Sequence, residues 1–180
     1  MGRLTGGAMA GEAGRWRSRV WRPHLVLALL AGLFLAGCYD LKEEVIPASL
    51  GVVIPYGHDA VELDGGGRIM LSRAGFNNDY RFLDVSDDGR ERLGTFRAMP
   101  VKDNIHAVQA RYDDEKGYIL LFYAISRDRI EPVDVSGVNL REFAALYGVG
   151  YEEDEFSGGF TGDPARILAM LKGMGGLEFE

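Results

Sequence analysis

The sequence predicts an α+β fold: an antiparallel meander sheet, or partly open barrel, of about six strands with two C-terminal helices packed on it. Three observations predict it. Between Arg68 and Val135 short runs of apolar and aromatic residues alternate with polar ones and are separated by Gly, Asn, Asp and Pro. One of these runs, Tyr118–Ile125 (YILLFYAI), is apolar at odd and even positions alike. After Asn139 the apolar period lengthens from near 2 to near 3.6, the helical value.

The strands follow in order. Arg68–Arg73 (RIMLSR) is the first, and Gly75, Asn77 and Asn78 turn the chain after it. Tyr80–Val85 (YRFLDV) is the second, closed by Asp88-Gly89, a hairpin signal. Arg92–Val101 (RLGTFRAMPV) is expected to end at Pro100. Ile105–Tyr112 (IHAVQARY) and Tyr118–Ile125 are joined by the polar turn Asp113–Gly117. A strand apolar on both sides belongs in the middle of a sheet covered on both faces. Ile130–Val135 carries Pro132 and reads as an edge. Upstream, Gly51–Asp64 is broken by Pro55 and Gly57 and holds at most one edge strand.

Two helices close the chain. Leu140, Phe143, Ala144 and Tyr147 form one stripe, with Asn139 as cap and Gly148 as stop. Asp163-Pro164 opens the second, where the missing N–H of proline costs nothing. Ile167, Leu168 and Leu171 are its expected stripe and Gly173 its stop. The stretch between the helices, Gly150–Gly162, is acidic and glycine-rich and reads as a loop.

The N-terminal stretch has a different character. Arg15, Arg17, Arg19 and Arg22 precede an apolar run from Leu25 to Leu35, which ends in Leu35-Ala36-Gly37-Cys38. A run of about 11 residues is too short to cross a hydrocarbon core, which needs about 20, but it suits the apolar part of an export signal. This stretch resembles a bacterial lipoprotein signal peptide, and its last four residues match the lipobox at each position. The resemblance covers residues 15–38 alone. It implies removal of residues 1–37 by cleavage between Gly37 and Cys38, and a diacylglyceryl group on the Cys38 thiol. It also implies attachment to the bacterial cell envelope. Asp40 stands one place beyond the position where, in enterobacterial lipoproteins, aspartate favours the inner membrane. The outer membrane, facing the periplasm, is therefore the expected address. Residues 38–50 are expected to be a polar, lipidated tether, and residues 51–180 a single globular domain.

Composition narrows the function. Cys38 is the sole cysteine, so the fold has no internal disulfide. The chain after cleavage carries 15 basic and 26 acidic residues, a formal charge of −11. Such a surface repels nucleic acid and anionic headgroups. The remaining histidines, His58 and His106, are far apart in sequence and lie in neither an HExxH nor a GxSxG context. One exposed and one sheet histidine is the plainer reading. Glu152-Glu153-Asp154-Glu155 lacks the alternate spacing and glycine of a calcium loop and reads as a solvated acidic run. Gly65-Gly66-Gly67 lacks the lysine of a phosphate loop. Tyr80, Phe82, Phe96, Tyr112, Tyr118, Phe122 and Tyr123 either fill a core or line a barrel pocket.

No catalytic, cofactor or metal motif is identified. The expected function is that of a non-enzymatic envelope lipoprotein that scaffolds or contacts another envelope protein. The alternatives are a carrier or sensor of a small apolar ligand held in a sheet cavity, and then a hydrolase built on paired carboxylates.

Overall fold

Tyr118–Ile125 occupies the middle of the sheet, as its two apolar sides require. In the computed structural model, which describes residues 39–63, 66–75, 77–135, 139–153 and 158–177, it is the seventh of ten strands. In chain order these are β1 (Tyr39–Leu41), β2 (Ala60–Glu62), β3 (Arg68–Ala74), β4 (Asp79–Val85) and β5 (Glu91–Lys102). They continue as β6 (Ile105–Tyr112), β7 (Tyr118–Ile125), β8 (Ile130–Pro132), β9 (Gly150–Glu153) and β10 (Gly158–Thr161). Helices α1 (Leu140–Leu146) and α2 (Pro164–Gly173) flank the last two strands. All ten strands belong to one open sheet of order β2-β3-β4-β5-β6-β7-β1-β10-β9, with β8 also paired to β7.

From β2 to β8 the sheet is a simple antiparallel meander, as the turn signals imply. The far edge of β7 is shared. Its first half pairs with β1, Tyr39 opposite Leu120, and its second half pairs with β8, Tyr123 opposite Pro132. Beyond β1 come β10, parallel to it, and β9.

Two cores lie on opposite faces, and β7 contributes to both. Leu120 and Phe122 are buried on the helix-covered face with Met99, Ala107, Leu140, Ala144, Ile167, Met170 and Leu171. Ile125 is buried on the other face, with Leu121 and Tyr123 half-buried beside it and Tyr80, Ala98 and Val108 nearby. The stripe of α2 is therefore Ile167, Met170 and Leu171, with Leu168 only partly buried.

The helix ends follow their capping residues. The Asn139 side chain accepts from the Glu142 N–H at 3.3 Å, and that of Asp163 accepts from the Ala165 N–H at 2.9 Å. Gly148 takes a φ of +66° after α1, and the Val149 N–H returns to the Ala144 carbonyl at 3.0 Å. Gly173 has a different role from the expected stop. It is the last residue of α2, and a Cβ there would meet the Tyr147 hydroxyl at 1.8 Å, so it lets α1 and α2 approach.

Several expectations need correcting. The sheet has four strands more than the six expected. The described part of Gly150–Gly162 is not a loop: it supplies β9 and β10 at the edge. Strands of four residues rich in glycine carry no readable period. Pro100 does not end its strand. β4 reaches only as far as Arg97, so on that side Pro100 has no strand to hydrogen-bond, and β5 runs on through a bulge to Lys102.

The largest correction concerns residues 39–50, which are not a tether in the described structure. Tyr39 and Leu41 are buried in β1, and Val45 and Ile46 are buried above β6. Gln109, itself buried, accepts from the Val45 N–H at 2.6 Å and the Ile46 N–H at 2.9 Å through one side-chain oxygen. Arg97 holds the same segment through the Glu44 carboxylate and the Ile46 carbonyl, while its guanidinium forks onto Asp79 at 2.6 and 3.0 Å. Composition alone concealed this, because the partners that satisfy these polar groups lie on distant strands.

Candidate functional site

The chain from Val52 to Asp59 straps the face opposite the helices. The Val52 N–H bonds to the Ala98 carbonyl, Ile54 is buried with its N–H on the Tyr80 hydroxyl at 3.1 Å, and the Gly57 N–H reaches the Arg127 carbonyl at 2.8 Å. Two residues later the Asp59 carbonyl accepts from the Leu71 N–H at 2.7 Å. A two-residue span covers about 7 Å. In a flat sheet β3 and β7 would stand about 19 Å apart. The sheet therefore curls, and the strap bridges its concave side.

That concave side is filled with rings. Tyr80 stacks on Phe96 at 4.9 Å, Phe82 lies 6.4 Å from Phe96, and Tyr112 meets Phe82 edge-on at 5.2 Å. A Cβ on Gly94 would fall 2.4 Å from the Phe82 ring, so the glycine makes room for it. The Tyr112 hydroxyl donates to Asp84 at 2.9 Å, and burial, then Asp84, raise its pKa well above the ordinary phenol value. Tyr123 belongs to this face, whereas Phe122 and Tyr118 pack on the helix side. Of the two readings of these aromatics, the packing supports a filled core.

The histidines have separate partners. His58 is exposed, with Nε2 3.8 Å from Asp128. His106 is buried, and its Nδ1 lies 2.9 Å from the Asn104 carbonyl. Among the described residues no group of three or more His, Cys, Asp or Glu side chains is placed to hold a metal. Glu152 and Glu153 lie on β9, and Asp154 and Glu155 fall outside the described residues. So do Gly37 and Cys38, the expected cleavage and lipidation positions.

Two surface features remain. A groove of about 670 Å³ runs between the β6–β7 turn and β9–β10, with Asp40, Lys42, Lys116, Glu152 and Gly159 along it. It is open and lined by charges of both signs. The second feature is a row of apolar residues that sequence reasoning missed. Pairing places Ala60, Met70, Leu83 and Leu93 side by side across β2–β5, on the face the helices cover elsewhere. Met70 is 47% exposed and Leu93 49%. The signal was present in the alternation of β3, β4 and β5, but without the register the three residues could not be aligned.

The chain is thus an α+β protein with a single curled, open sheet and a bare apolar row on one arm. Compared with family models, curated proteins and solved structures, it matches none.

Proposed function

We propose that the protein is an envelope lipoprotein, held to a membrane by lipid on Cys38, whose folded domain contacts another envelope protein. The observation that carries the contact is the row Ala60–Met70–Leu83–Leu93, an apolar strip beyond the reach of the helices, with Met70 and Leu93 about half exposed. Exposed apolar strips between polar rows mark interaction surfaces. Arg81 and Thr95 form the next row on the same face, with Arg81 paired to Asp113 at 2.9 Å, so the strip has a polar rim. The membrane attachment and the outer-membrane address rest on the signal sequence and its lipobox.

A carrier of apolar ligands needs an enclosed apolar chamber. Here the concave face is packed ring against ring, and the groove beside β9–β10 is open and charged. That favours the contact module.

Photocrosslinkers placed at Met70 and Leu93 in intact envelopes test the reading, with the exposed Arg127 in the β7–β8 turn as control. A protein crosslinked from the first two positions and not from the third is the expected result. Equal or absent crosslinking at all three removes the contact surface. Mass spectrometry of the mature N-terminus tests the anchor separately, since an unmodified Cys38 or cleavage elsewhere removes it.

A further inference from the structure

The start of β1 has a consequence for how the domain meets the membrane, given the lipid-anchor reading above. We propose that the domain lies directly against the bilayer with no tether, its contact surface being the notch between β8 and β10 where β1 begins.

Tyr39 is fixed in place. It is 6% exposed, paired with Leu120 on one side and Gly158 on the other. Its ring lies 5.0 Å from Phe160, 6.0 Å from Phe122 and 6.2 Å from Tyr151. Cys38 is joined to it by one peptide bond, which spans about 3.8 Å, whereas a free tether over residues 38–50 would reach about 45 Å. Lipid chains on Cys38 must sit in hydrocarbon. The start of β1, one residue from Cys38, therefore rests among the headgroups.

The position of the notch is set by pairing. β1 begins opposite Leu120, and the Val133 N–H already occupies the Phe122 carbonyl at 2.9 Å. The edge of β7 next to the start of β1 is thus already taken by β8 and Val133. Two exposed residues flank that point. Pro132 pairs with Tyr123, three places along β7 from Leu120, about 10 Å away. Glu153 pairs with Gly158, two strands across from Tyr39, also about 10 Å away. Leu93 is farther off, three strands across and four residues along β5 from the row of Tyr39, about 20 Å measured along the sheet. Glu153 and the Arg129–Glu131 ion pair border the notch, so it carries no net positive charge to draw anionic headgroups, and zwitterionic ones suit it.

Both tryptophans, Trp16 and Trp21, precede Cys38, so the mature chain has none and a single introduced tryptophan is a clean reporter. Pro132→Trp, Glu153→Trp and Leu93→Trp are each made in the full lipidated protein. Each is reconstituted in phosphatidylcholine vesicles doped with headgroup spin-labelled lipid, and folding is checked by circular dichroism. The expected result is several-fold stronger quenching at positions 132 and 153 than at 93, lost when a long Gly/Ser linker is inserted between Cys38 and Tyr39. Equal quenching at all three positions overturns the proposal, as does a difference that survives the linker. Mass spectrometry on the same samples separates the causes. A lipidated Cys38 with uniform quenching sinks the docking alone, and a Cys38 without lipid sinks the anchor and the docking together.

Discussion

Gln109→Leu isolates what holds the first folded segment to the sheet. Leucine keeps nearly the same volume and fills the site without a polar atom. What it removes is one oxygen that accepts from both the Val45 and Ile46 N–H groups. Those residues are 4% and 0% exposed, so water cannot replace the lost acceptor. A buried N–H left without a partner costs about 1–3 kcal/mol, so two cost about 2–5 kcal/mol after some return from the apolar side chain. For a domain of this size each kcal/mol lowers the melting temperature by about 3–4 °C. The melt of the mature chain should therefore drop by about 6–20 °C. Amide exchange gives the site-specific readout: the Val45 and Ile46 N–H groups should lose protection before the strands of the meander do. A melt within about 1 °C of the parent, with both amides still protected, would refute the reasoning, because the segment would then be held by its apolar contacts alone.

Other substitutions probe the remaining structure. Leu120→Ala should cost about 2–5 kcal/mol in denaturant unfolding, and Leu121→Ala clearly less, because Leu120 is fully buried and Leu121 only half so. Similar costs would show that the two faces of β7 are equally packed. Gly94→Ala should destabilise by at least about 1–3 kcal/mol, since the new methyl meets both the Phe82 ring and the Arg111 carbonyl; a neutral melt would contradict that packing. Asp88 is held below the ordinary carboxylate range by the Ser86 hydroxyl, then by the Arg90 N–H. A depressed pKa gives stabilisation that is present above the unfolded value and lost as pH falls through the folded one. A carboxyl titration by NMR should place Asp88 below an ordinary aspartate, and Ser86→Ala should move it part of the way back up; an unchanged titration would rule out the hydroxyl as the leading cause.

The meander was legible because its signals are local. Alternation in Tyr80–Val85, the Asp88-Gly89 turn and the two-sided run Tyr118–Ile125 each act within a few residues, and the structure keeps all three. The capping roles of Asn139 and Asp163 were equally local. What could not be read was set by partners far along the chain. Tyr39–Leu41 becomes a strand only because β7 and β10 offer edges, and Gly158–Thr161 because β1 and β9 lie on either side. Gly173 looked like a helix stop because glycine often is one, and only the position of Tyr147 reveals its role. The apolar row depends on register across four strands, which no single segment encodes.

The place of β1 also orders events in time. Among the described strands it is the first to be synthesised, yet its neighbours are Leu120 and Gly158, the latter in the last of them. Until that strand emerges, the β1 segment and the apolar Val45 and Ile46 behind it have only part of their final surroundings. Contacts between such distant stretches slow folding, since a long loop must close before they form. The meander β2–β8, whose neighbours are successive, can assemble as the chain is delivered. The sheet is completed only when the beginning of the domain and its end are brought together.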